Sequence, residues 1–178
     1  MKLTVAALVL SLAATGACAP YWPSDRWAGK PMFVVANLQP GQLQGTWYEV
    51  ASFPQRFQEG CGLTTATYQA LPDGTLSVLN RCEVEGQPGT VRQIAGTARM
   101  KGPGRFELRL DGVPLPAGYW VLGISQDGRT LVVGNPWRLG GWVLRRDPSV
   151  TPEQLDWARQ IFETNGYDIA ALQRSPLR

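Results

Sequence analysis

The 178-residue chain contains no histidine. That removes the commonest general base and the commonest ligand of transition metals, so no catalytic set, metal site or cofactor is expected. Basic clusters are missing too. Seventeen Lys and Arg against fourteen Asp and Glu leave a formal charge of +3. The densest runs, Arg145-Arg146 and residues 174–178, are too small for a nucleic-acid footprint. Beyond the N-terminus no apolar run reaches the length of a membrane-spanning helix. Cysteine is scarce, with three residues: Cys18, Cys61 and Cys82.

The N-terminus carries the plan of an export signal over residues 1–17. Lys2 is followed by an uncharged, largely apolar run over 3–14, and then by the small residues Thr15, Gly16 and Ala17. Export leads to an oxidising compartment, where Cys61 and Cys82, both inside the expected domain, are the natural pair. Their bridge would contribute roughly 3 kcal/mol by restricting the unfolded chain. Cys18 is left over where the signal ends, the position at which a bacterial lipoprotein is cleaved and its cysteine acylated. Acyl chains at roughly 0.8 kcal/mol per buried CH2 hold stably when two or more are present. Ordinary cleavage after Ala17-Cys18-Ala19 is the alternative, and it would place Pro20 first. Ala19, where an inner-membrane retention signal has Asp, points to the outer membrane.

Residues 18–42 read as a tether, irregular and punctuated by Pro20, Pro23, Pro31 and Pro40. Tyr21, Trp22, Trp27 and Phe33 fit packing either on the domain or on the membrane surface. From 43 to 178 the pattern becomes that of a single domain. Short β-type runs at 46–53, 63–70, 75–82, 90–100, 105–110, 119–125, 130–135 and 142–146 are separated by turn signals. Asp73-Gly74 and Asp127-Gly128 mark two tight hairpins. A helix follows, with Thr151 as N-cap, Pro152 at the first turn, Gln154 completing a capping box, and an apolar stripe of Leu155, Ala158, Ile161 and Phe162 ending at Gly166. Residues 167–169 read as a short ninth strand. Eight strands joined in order and then one helix make an all-β fold: an eight-stranded antiparallel up-and-down barrel with the helix packed outside. Such a barrel is wide enough for one small ligand.

Gly45-Thr46-Trp47-Tyr48-Glu49-Val50-Ala51 resembles the Gly-x-Trp signature of the lipocalins, and Trp142-Val143-Leu144-Arg145-Arg146-Asp147-Pro148 resembles their last-strand motif. Ala66-Thr67-Tyr68 and Asp73-Gly74-Thr75-Leu76-Ser77-Val78 are similar to the second and third strands of bacterial lipocalins, lipoproteins related to apolipoprotein D. The middle family motif departs, reading Ser125-Gln126-Asp127-Gly128. The resemblance implies that Trp47, beside Gly45, packs against an arginine at the end of the eighth strand, here Arg146. A guanidinium over an indole contributes about 0.5–2 kcal/mol, which makes these three residues a structural floor.

Counting in twos from Trp47 turns Glu49 and Ala51 inward and puts Phe53 at the mouth. Hairpin pairing and the family register add Ala66, Tyr68, Val78 and Asn80, then Tyr119, Val121, Leu131, Val133, Trp142 and Leu144. Phe57 lies on the connection 54–62, which partly covers the mouth in the family. Ligand contacts are therefore expected from Ala51, Phe53, Phe57, Ala66, Tyr68, Val78, Asn80, Tyr119, Val121, Val133 and Trp142. The competing reading is a filled core, against which the small Ala51 and Ala66 leave space. An inward Glu49 needs a partner. The resemblance implies a small lipophilic partner, a fatty acid or lysophospholipid, and attachment to the outer membrane through acyl chains on Cys18, with the domain facing the periplasm. A lipocalin-fold enzyme using Glu49 or Tyr68, and a structural envelope protein with a filled barrel, are the alternatives.

Overall fold

Alternating side chains and glycine-bearing turns produce the strands that the pattern leads one to expect. The computed structural model describes residues 31–177. The expected export signal, Cys18, Tyr21, Trp22 and Trp27 lie outside the described residues. The strands are β1 (Gly45–Ser52), β2 (Cys61–Ala70), β3 (Leu76–Val84), β4 (Val91–Gly102), β5 (Arg105–Leu110), β6 (Ala117–Ile124), β7 (Thr130–Gly134) and β8 (Gly141–Arg145). Each pairs antiparallel with the next, and β1 pairs with both β2 and β8, which closes an eight-stranded barrel. Antiparallel order sorts the connections to two ends. The β2–β3, β4–β5 and β6–β7 turns share the floor end, and the other four share the mouth. At the floor, Gly74 and Gly128 take φ of 80° and 68° in their Asp-Gly turns.

Two apolar clusters follow from the alternation. The inner one includes Trp47, Ala66, Val78, Phe106, Val121 and Leu144. The outer one joins Val50, Val132 and Val143 of the barrel wall to Leu155, Ala158 and Phe162 of α1 (Pro152–Thr164). The capping box starts α1: Gln154 N donates to Thr151 Oγ1 at 3.3 Å and Thr151 N donates to Gln154 Oε1 at 2.9 Å. Wall glycines let it dock closely. A Cβ on Gly141 would meet Phe162 at 2.7 Å, and one on Gly134 would run into the hydroxyl of Tyr167, just beyond the helix.

The ninth strand lies later than the pattern suggested. Tyr167 turns into the outer cluster, and Ile169–Ala171 close a 3-10 turn capped by Asp168, whose Oδ1 accepts from Ala170 N at 3.2 Å. Pairing resumes only at β9 (Gln173–Arg174), which lies beside Ala51 and Ser52 of β1. There β1 has already parted from β2, their ladder ending at Tyr48 and Thr65.

The described part of the expected tether runs along the barrel. Phe33 N donates to Asn165 Oδ1 at 2.7 Å and Val35 N to Val121 O at 2.9 Å. Met32 enters the outer cluster and Leu38 the inner one. A 3-10 turn, Pro40–Leu43, then leads under the floor into β1.

Candidate functional site

The barrel interior is built up from its floor. Trp47 is fully buried, and its indole Nε1 donates to Leu43 O at 2.7 Å. The Arg146 guanidinium lies 3.6 Å from the indole ring centre and donates to Gln42 O at 3.0 Å and Thr46 O at 3.3 Å. Gly45 has φ of 96°, and a Cβ there would lie 3.1 Å from Arg146 Nη1, so the stack and the backbone both need glycine. Beside this plug, Asp147 pairs with Arg129 at 3.0 Å and with Arg145 at 3.1 Å. A hydrogen bond from Ser149, with help from these arginines, holds the Asp147 carboxyl below the usual carboxylate range.

Above the floor a polar crossbar spans the barrel. The hydroxyls of Tyr68 and Tyr119 meet at 2.7 Å, both side chains buried. Tyr68 belongs to β2 and Tyr119 to β6, which are separated by β3, β4 and β5 around the wall, so the bond crosses the interior. Burial pushes the Tyr68 phenol up to about 12 and Tyr119 well above its ordinary value. Both stay neutral, each satisfying the other among apolar neighbours.

Toward the mouth the interior opens. Phe106 is only 2% exposed, whereas Leu108 and Leu110, further along the same face of β5, are half-buried. Asn80, Ile94 and Gly96 share that face by register, with Asn80 opposite Ala66 and Ile94, and Gly96 opposite Val78 and Leu110. They too are half-buried. The mouth end of the inner wall is therefore largely apolar and more accessible than the floor end, with Asn80 as its polar side chain.

Ala66, Tyr68, Val78, Tyr119, Val121 and Val133 come together in the inner cluster, and Trp142 packs against it. Ala51 and Phe53 do not face the interior. A bulge in the pairing with β8 falls between Glu49 and Ala51, which shifts the alternation by one residue. Ala51 consequently opposes Val143 in the outer cluster. Phe53 packs on the rings of Phe162 and Tyr167 at 4.9 and 5.1 Å. Phe57 is 69% exposed on the 3-10 turn Arg56–Gln58, so it rims the mouth instead of lining the interior.

Sequence counting passed over the walls supplied by β4 and β5: Ile94, Gly96, Ala98 and Met100, then Phe106, Leu108 and Leu110. Their signal was present. Gln93, Thr97 and Arg99 alternate with the first set, Glu107 and Arg109 with the second. With Ala51 turned outward, Gly96 and Ala98 join Ala66 as the small residues on the inner wall.

The long β1–β2 connection is braced on both sides. Glu49 accepts from Gln58 Nε2 and from Ser175 Oγ, each at 2.6 Å, while Gln58 Oε1 accepts from Trp142 Nε1 at 2.9 Å. The inward carboxylate is thus partnered, by the mouth loop and the C-terminal segment. At the far end a disulfide joins Cys61 to Cys82. Arg92, opposite Cys82 at the mouth, donates to Glu59 O at 2.6 Å and keeps a cation at the entrance.

Comparison with known proteins gives concordant results. A profile of the lipocalin-like domain matches residues 38–177. Temperature-induced lipocalin-1 of Arabidopsis thaliana is 35% identical over 158 residues, 83% of each chain. The outer membrane lipoprotein Blc of Escherichia coli (strain K12) is 32% identical over 165 residues, 92% of this chain and 93% of its own. Among solved structures, the major allergen Per a 4 from cockroaches superposes with a TM-score of 0.64 at 14% identity, covering 83% of this chain and 93% of that one. At that identity the likeness concerns the fold alone.

Proposed function

This chain belongs to the lipocalin-like family, and from that membership we propose that it holds one small lipophilic molecule, a fatty acid or lysophospholipid, in the hollow above the tyrosine crossbar. The observation that carries the reading is the gradient along the inner wall, tightly packed at Trp47 and Phe106 and accessible at Leu108 and Leu110. An alkyl chain entering there leaves water for the apolar surface of Val78, Leu108 and Trp142. Each buried methylene contributes about 0.8 kcal/mol, so ten give roughly 8 kcal/mol before the costs of association. Arg92 at the mouth is positioned to face an anionic head group. The thiols of Cys61 and Cys82 are bonded to each other and the two tyrosines are neutral, features that binding needs and nucleophilic chemistry does not favour.

The proposal includes the location. Acyl chains on Cys18 hold the domain on the outer membrane with the barrel in the periplasm. Support comes from residues 1–19 and from the Escherichia coli relative, itself named an outer membrane lipoprotein. Native mass spectrometry of protein extracted from its own membrane tests both parts. An acyl mass on Cys18 and a co-purified lipid are expected. Protein free of lipid that also fails to bind a fluorescent fatty acid would overturn the ligand reading, and an unmodified Cys18 would overturn the anchor.

A further inference from the structure

We propose that the mouth of the barrel docks directly on a lipid bilayer, through apolar side chains carried by three adjoining loops. The described residues include seven large apolar side chains that are exposed, and five of them sit at the mouth. Phe57 is on the β1–β2 connection, Val113 and Leu115 on β5–β6, and Trp137 and Leu139 on β7–β8. Leu115, Trp137 and Leu139 are 77%, 68% and 70% exposed. The floor turns carry no such residue among those described. An apolar patch confined to one end of a barrel marks an interaction surface, and indole is favoured at the membrane–water boundary.

The loops are built to hold these side chains outward. Gln55 Nε2 donates to Leu139 O at 2.9 Å, which joins the β1–β2 and β7–β8 connections. A Cβ on Gly118, at the start of β6, would lie 2.5 Å from Pro136, so the β7–β8 connection rests on β6 just after the β5–β6 connection ends. Between Trp137 and Leu139, Arg138 adopts φ of 58°, a conformation disfavoured for a non-glycine residue. Its Nε donates to Asn165 O at 2.6 Å, and Leu139 N donates to Asn135 Oδ1 at 3.0 Å. The bend that presents the indole and the leucine is therefore enforced.

The direction in which the chain leaves identifies the occupant as a membrane. Asn165 holds Arg138 of the mouth loop through its carbonyl and Phe33 N through its side chain. The chain therefore climbs the wall from the β4–β5 floor turn, where Gly104 packs on Val34 and Val35, toward the mouth loop at residues 31–33. From Pro31 the chain has thirteen residues to run back to Cys18. At most about 3.4 Å per residue, they let an anchor reach the bilayer without turning the mouth away; this step alone rests on the acylated-Cys18 reading. Charge does not account for the docking. The three connections carry Arg56 and Arg138 against Glu59 and Asp111, a balanced set. The attraction is apolar and indifferent to anionic lipid. A mouth on the bilayer lets an apolar guest enter the hollow without crossing water.

Full-length protein purified with its own processing and placed in phosphatidylcholine vesicles tests this, using a phosphatidylcholine with a photoactivatable acyl chain. Adducts mapped by mass spectrometry are expected on residues 53–60, 111–116 and 135–140, at the same yield when phosphatidylglycerol is added. The triple substitution Leu115→Ser, Trp137→Ser and Leu139→Ser should lower loop adducts by about tenfold or more, while adducts on the inner faces of residues 94–110 persist. Adducts on those inner strands with unlabelled loops would overturn the docking and leave the ligand reading intact. Labelling restricted to residues before Pro31, or loops shielded by a second copy in a dimer that takes no lipid label, would also overturn it.

Discussion

Replacing Tyr68 and Tyr119 with phenylalanine, singly and together, tests the closed interior. Their hydroxyls meet at 2.7 Å and both side chains are buried, so either single change strands the remaining hydroxyl in an apolar layer. A buried donor or acceptor left unpaired costs about 1–3 kcal/mol. Removing both hydroxyls leaves nothing stranded, and the double variant should cost no more than about one single change. The expected coupling is therefore about 1–2 kcal/mol, well beyond the roughly 0.3–0.5 kcal/mol scatter of independent sites. Urea unfolding of the four proteins gives the cycle. The pH dependence supplies a second readout, since burial raises both phenols, Tyr68 to about 12. Their contribution to stability is fully present below the ordinary tyrosine value near 10 and is lost as pH rises from there through the folded value. Ultraviolet titration should show Tyr68, Tyr119 and Tyr167, all raised by burial, still protonated at about pH 11 in wild type, and of these only Tyr167 in the double variant. Additive single changes would refute the reasoning, because β2 and β6 are not neighbours in the sheet and can couple only across a closed barrel.

Three further outcomes follow from the same geometry. Arg146→Met removes the cation over Trp47 and two hydrogen bonds to carbonyls, and should cost about 2–4 kcal/mol in urea unfolding; Arg146→Lys should recover less than half, because it lacks the planar fork, and full recovery would contradict the stacking. The Asp147 carboxyl is held low by Ser149, Arg129 and Arg145, so its stabilisation is present above about pH 4 and is lost as pH falls through the lower folded value. Asp147→Asn should therefore lose less stability than wild type between about pH 5 and pH 3, and equal losses would exclude this role. Leu108→Trp fills half-buried space on the inner wall and should weaken fatty-acid binding by about tenfold or more with little loss of stability. Unchanged affinity in a fluorescence displacement titration would place the guest elsewhere.

Local rules carried much of the fold. Asp73-Gly74 and Asp127-Gly128 form turns because only glycine takes their backbone angles cheaply, and Thr151 with Gln154 caps α1 through neighbouring atoms. Gly45, Trp47 and Arg146 meet as the resemblance implied. Failure came where tertiary pairing decides. Nothing in Glu49-Val50-Ala51 announces a bulge, which arises from how β1 lies against β8, and one added residue sends Ala51 and Phe53 to the helix side. The ninth strand slipped for a similar reason: Tyr167 finds more contact under α1 than in a ladder, and Asp168 starts a turn. Residues 31–42 have no periodicity to read, although Met32 and Leu38 are buried. The β4 and β5 walls alternate plainly in the sequence and were legible.

The central claim is that a guest occupies the upper hollow, and the anomalous signal of a terminally brominated fatty acid in a crystal of the protein tests it most directly. The account predicts a bromine peak inside the barrel, above the Tyr68–Tyr119 pair and within contact of Val78, Leu108 or Trp142. A peak found only on the outer surface, such as the cleft lined by Leu122, Trp157 and Ile161, would contradict it.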